Sequence, residues 1–101
     1  MSTRAEPKLT SDIGYCYTGP GRDGEPPIVL ATTFDFDRDM AEQRLLVWAR
    51  GHVTGKAGPL TAAGVAFWEG FPGDDRPTSD RIDWLLRKGF RLHEAVVEVK
   101  R

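Results

Sequence analysis

The sequence predicts an α+β fold: a small, mostly antiparallel three-stranded sheet packed by about three short helices. Three observations predict it. Residues 77–100, PTSDRIDWLLRKGFRLHEAVVEVK, pass from a helical pattern through Gly89 into an alternating strand pattern. Residues 28–36, IVLATTFDF, are dominated by β-branched and aromatic side chains, which favour strands. The length of 101 residues suits one domain, since domains cluster near about 100–150 residues.

Taken in order, residues 1–12 are polar and charged and read as a flexible N-terminal tail, leaving 13–101 as the single domain. Residues 13–18, with Tyr15, Cys16 and Tyr17, form a short strand. Residues 19–27, GPGRDGEPP, are denied regular pairing by glycine and proline and make an exposed arm. In the strand over 28–36, Phe34 and Phe36 share one face and Thr33 and Asp35 the other. Asp37 then caps a helix over 38–50, whose first turns hold Asp39 and Glu42, where the helix dipole favours acids. Met40, Ala41, Leu45, Trp48 and Ala49 form its apolar stripe. A strand over 44–53 competes, because LLVW alone fits either element.

Residues 51–59 read as a loop. Thr61 caps a short helix to about Phe71, with Ala62, Val65, Ala66 and Trp68 apolar, weakened at Gly64 by about 1 kcal/mol relative to alanine. Residues 71–77 are a turn-rich connector. Pro77 and Thr78-Ser79-Asp80 start the last helix, whose apolar positions are Ile82, Leu85 and Leu86, and Arg87-Lys88-Gly89 end it. The final strand over 91–99 presents His93, Ala95, Val97 and Val99 as its core face.

Composition narrows the function classes. Fourteen Lys and Arg against fifteen Asp and Glu leave a net charge of −1, without the basic excess typical of nucleic-acid binders. The charge is uneven: residues 11–40 hold six acids and two bases, and residues 81–101 six bases and three acids. Cys16 is the only cysteine, so no internal disulfide forms. The N-terminal residues lack an apolar signal core, and no apolar run reaches the roughly 20 residues of a membrane span. A cytoplasmic, reducing setting away from the membrane is the expectation.

No catalytic or metal constellation survives inspection, and neither cofactor nor bound metal is expected. Asp35, Asp37 and Asp39 open like a calcium loop, but the positions that need glycine and a bidentate glutamate hold Met40 and Leu46. Residues 51–58, GHVTGKAG, fall one residue short of a phosphate loop and have Ala57 where its Ser or Thr binds magnesium. His52 and Lys56 remain available there as an anion contact. Cys16, His52 and His93 are too dispersed in sequence for a structural zinc site. Cys16 between two tyrosines reads as a small buried hydrophobe.

Three stretches carry a resemblance: residues 27–31 (PIVLA), 67–71 (FWEGF) and 81–86 (RIDWLL). Together they resemble the C-terminal half of the endonuclease/exonuclease/phosphatase family. That likeness implies a strand over 81–86 and places Thr33 and Asp35 where the family has an aspartate–asparagine pair. The family's closing Ser-Asp-His motif is absent. Residues 60–64, LTAAG, are similar to a helix start found after the wing in some winged-helix regulators.

The remaining signal is recognition. Tryptophan and arginine dominate binding hot spots. A helix over 78–88 puts Arg81, Trp84 and Lys88 on one face. Arg81, Trp84, Arg87, Lys88 and Arg91 are therefore the candidate partner-binding patch of a non-enzymatic interaction module that binds, and by binding inhibits or regulates, a protein partner. The alternatives are a nucleic-acid-binding accessory protein using those bases with Lys100 and Arg101, and a degenerate relative of metal-dependent phosphodiesterases. A homodimer is a further option.

Overall fold

The structure is a computed structural model that describes residues 10–21 and 24–99. Its elements follow the order β1 (Thr10–Gly19), β2 (Ile28–Asp35), α1 (Arg38–Val53), α2 (Ala62–Trp68), α3 (Thr78–Arg87) and β3 (Arg91–Val99). The three strands form an antiparallel sheet in the order β2-β1-β3, so the α+β expectation holds. Residues 10–12, read above as tail, belong to β1 and pair with 97–99 of β3. Residues 1–9 of that tail, and Arg22 and Asp23 of the arm, lie outside the described residues.

Each helix is bounded by the chemistry that its sequence supplies. The Asp37 carboxylate accepts hydrogen bonds from the Asp39 and Met40 backbone N–H groups at 2.8 and 3.4 Å, satisfying donors that have no partner within the helix. The rest of the acidic run is also engaged. Asp35 accepts from the Asp37 N–H and from Arg44 Nε, at 2.9 and 3.0 Å. These two bonds hold its carboxyl below the usual carboxylate range, the Asp37 N–H contributing most. Replacing the cap, Asp37→Ala, is expected to cost about 1 kcal/mol. A urea midpoint that does not move would show the cap to be idle.

Thr61 caps α2 by accepting from the Gly64 N–H at 3.0 Å. α3 ends in a Schellman motif around Gly89, whose φ is +110°. There the Gly89 N–H bonds Leu86 O and the Phe90 N–H bonds Leu85 O, both at 3.1 Å. The positive φ is why glycine stands there. The helical state of 78–87 corrects the strand over 81–86 that the nuclease-family likeness implied.

The core lies where Tyr17, Leu30 and Leu92 of the sheet meet Ala41, Leu45, Leu46 and Ala49 of α1, Ile82, Trp84 and Leu85 of α3, and Phe90. Two stripes differ from expectation. In α1, Leu46 is buried while Met40 is exposed, because the helix presents a face rotated toward β2. In β3 the packed residue is Leu92, and His93 is exposed. Leu92 pairs with the buried Tyr17 across the ladder, and antiparallel partners share a face; the side chains of Val97 and Val99 lie outside the described residues. In α2, Phe67 and Trp68 do the packing, and Val65 is exposed.

The opposite sheet face carries Gly14, Cys16, Phe34 and Phe36. A Cβ on Gly14 would come within 2.5 Å of the Phe34 ring. Phe34 thus lies over the glycine and meets Phe36 edge-on at 5.1 Å, covering the strand position that lacks a side chain. Cys16 and His93 stand directly opposite each other on this face, an adjacency that their 77-residue separation in sequence conceals. The His93 ring pairs with the Thr18 hydroxyl at 3.0 Å.

Candidate functional site

Two adjoining concavities flank Trp48 of α1. The first is a groove of about 430 Å³ between Thr32 of β2 and the α1 residues Met40, Gln43, Arg44, Val47 and Trp48. The α1 residues recur at spacings of three and four and so form one ridge along the helix. Met40 and Val47 are exposed on it. β2 is an outer strand of the sheet, and an outer strand presents unpaired backbone N–H and C=O groups. Among the described residues, no other backbone pairs with that edge.

The second concavity, of about 420 Å³, has aromatic walls: Trp48, His52, Phe67, Trp68 and Phe90, closed by Leu30. Gly19, Pro20 and Ile28 complete its rim. Several of its rings meet at steep angles. Trp48 meets Phe90 at 5.6 Å and 65°, and Phe67 meets Trp68 at 5.0 Å and 79°. Edge-to-face pairs at such distances are the favoured arrangement of aromatic quadrupoles. Large rings from α1, α2 and the α3–β3 turn converge to form its walls.

His52 lies beside both indoles, 4.2 Å from Trp48 by centroids and nearly parallel to Trp68 at 6.3 Å and 12°. Burial among these rings pushes its pKa down. The folded chain therefore takes up the proton less readily than the unfolded chain, in which His titrates near 6.5. Above that value the ring is neutral in both states and stability is unaffected. As pH falls through it, the unfolded state gains the proton first, so stability declines until the folded ring titrates too. Urea midpoints measured from about pH 7 down to pH 5 are expected to fall in the wild type and to fall less in His52→Gln. Parallel profiles would show that His52 is not the titrating group.

The partner-binding residues expected from sequence do not assemble into one exposed surface. Trp84 is 8% exposed; its indole stacks on Trp68 at 5.6 Å and 15° and meets Phe71 edge-on at 5.1 Å. The expected exposed tryptophan is therefore a core residue, because the face it shares with Arg81 and Lys88 turns toward α2. Arg81 is largely covered and approaches Asp74 at 3.6 Å, and Asp74 also pairs with Arg50 at 2.9 Å. Arg91 donates to Leu86 O and Phe90 O at 2.6 and 2.7 Å, completing the α3 C-terminus. Lys88 lies over Phe67 and Trp84, 5.3 and 5.1 Å from their centroids, a cation–π arrangement. Arg87 is exposed. Lys100 and Arg101 lie outside the described residues.

Of the anion pair, Lys56 is exposed on the loop after α1, whereas His52 lies in the aromatic pocket. A ring disfavoured as a cation does not supply positive charge to an anion. Among the described residues, no group of three or more His, Cys, Asp or Glu could hold a metal ion, and no helix is long and apolar enough to cross a membrane.

Sequence reasoning missed the groove and the pocket alike. The signal present was the Met40-Gln43-Arg44-Val47-Trp48 spacing, which carries two more apolar positions than one buried stripe needs. The fold and site define a small α+β domain with an open helix–strand groove. No family model, curated protein or solved structure matches the chain.

Proposed function

We propose that the chain is a non-enzymatic binding module that holds an extended segment of a protein partner in the groove between α1 and β2. The observation that carries this reading is an unpaired outer strand beside a helix ridge on which Met40 and Val47 are exposed. An extended peptide laid along β2 would continue the sheet by backbone hydrogen bonds, and its alternate side chains would drop toward Met40, Val47 and Trp48. Main-chain bonds then supply affinity, and the side-chain positions supply specificity. Sequestering that segment is how such a module would inhibit or regulate its partner.

A displayed library of unstructured peptides tests this. Selection is expected to enrich segments with large apolar residues at alternate positions, and binding should perturb the amides of β2 and slow their exchange. Val47 is 72% exposed, so Val47→Asp should leave stability within about 0.5 kcal/mol while weakening the selected peptides at least about tenfold, or 1.4 kcal/mol. Enriched peptides that bind without touching β2, or that ignore Val47→Asp, would refute the reading.

A further inference from the structure

The aromatic pocket beside the groove has a different chemistry. We infer that it is a binding site for a flat, uncharged aromatic small molecule of one or two fused rings. Its volume of about 420 Å³ lies within the range of about 300–1,000 Å³ usual for small-molecule sites. Five of its lining side chains carry aromatic rings, several of which meet at steep angles. A planar guest can then stack on one ring while meeting another edge-on, the two geometries that aromatic pairs favour. Aliphatic guests of the same volume gain only the area term.

Charge selects the guest further. Among the described residues, no carboxylate, lysine or arginine lines the pocket, so an ion entering it would lose hydration without a counter-charge from them. Ring faces can attract a cation, but the Lys88 ammonium already lies 5.3 Å from the Phe67 centroid and would repel a second one. Among the described residues, His52 is the one polar side chain in the lining apart from the indole N–H groups. Its burial favours the neutral ring, which offers one donor and one acceptor and suits a heteroaromatic N–H or ring nitrogen.

Indole is the probe, titrated into the full chain and followed by amide and indole N–H resonances. Saturable shifts centred on Trp48, His52 and Trp68 are expected. Tryptamine, its cationic relative, which brings an unpaired charge beside Lys88, and cyclohexanol, a saturated ring, are each expected to bind at least about tenfold more weakly. Ile28 is 53% exposed at the rim, so Ile28→Trp should keep the fold, fill the mouth and weaken indole by a similar factor. Val47 does not line this pocket, so Val47→Asp should leave indole affinity unchanged, which separates this site from the peptide groove. The assignment is overturned if indole fails to saturate at its solubility limit, if shifts centre elsewhere, if tryptamine or cyclohexanol binds as well, or if Ile28→Trp retains full affinity.

Discussion

Phe90→Ala is expected to remove about 3–5 kcal/mol of stability, the range for deleting a buried aromatic ring. The ring is 1% exposed and is a hub. It meets Trp48 at 5.6 Å, Trp68 at 6.2 Å and Phe67 at 6.3 Å, and a Cβ on Gly19 would come within 2.9 Å of it. It therefore links β1, α1 and α2 at the point where the α3 turn delivers it. Its backbone N–H also closes the Schellman motif, so its position is fixed by the turn as well as by packing. Native domains have about 5–15 kcal/mol in total, so the loss is a large fraction of the whole. The melting temperature should fall by more than about 12 °C, given about 4–8 °C per kcal/mol for domains of this size. Phe90→Leu keeps much of the volume and should lose distinctly less. A loss below about 1 kcal/mol for Phe90→Ala would mean that the cluster closes over the cavity and that the hub role is wrong.

That hub shows why the fold was more legible than the site. Helix and strand ends are written in local chemistry: Asp37 and Thr61 cap, Gly89 stops α3, and the β-branched run from Ile28 marks β2. Each signal acts over a few residues, so each can be read from sequence. Which face of an element turns inward is a tertiary matter. Trp84 lies on the same helical face as Arg81 and Lys88, and spacing alone made that face look like a solvent-exposed patch. The aromatic partners that bury Trp84, namely Trp68, Phe67 and Phe71, lie 13 to 17 positions away. The parity of β3 is hidden for the same reason. His93, Ala95, Val97 and Val99 look the more apolar set, yet pairing with Tyr17 sends Leu92 to the core. The groove and pocket depend on how far apart α1, α2 and β2 stand, a quantity that no local pattern carries.

Thr33→Val is expected to cost about 2–4 kcal/mol although it preserves shape and suits a strand. The reason lies in an irregularity of the sheet. Across the β1–β2 ladder, Tyr17 pairs with Leu30 and Tyr15 pairs with Asp35, so β2 holds extra residues between two successive pairs. Backbone groups there lose their regular partners, and the fully buried Thr33 hydroxyl takes the place of one. It accepts from the Tyr17 N–H at 2.9 Å and donates to Leu30 O at 2.7 Å. A methyl group can do neither. The Tyr17 N–H would then be buried without an acceptor, at about 1–3 kcal/mol. Leu30 O would be left with the weak Cys16 thiol at 3.3 Å as its side-chain donor. Thr33→Ser keeps the hydroxyl and gives up one methyl group, worth about 0.8 kcal/mol. The ordering is the decisive result: serine, the poorer match in shape, should be the more stable variant. Exchange of the Tyr17 amide should quicken in Thr33→Val beyond what global stability accounts for, and hardly change in Thr33→Ser. If valine proves as stable as serine, the irregularity has another source of satisfaction, and the hydroxyl is not what holds β2 to β1 at that point.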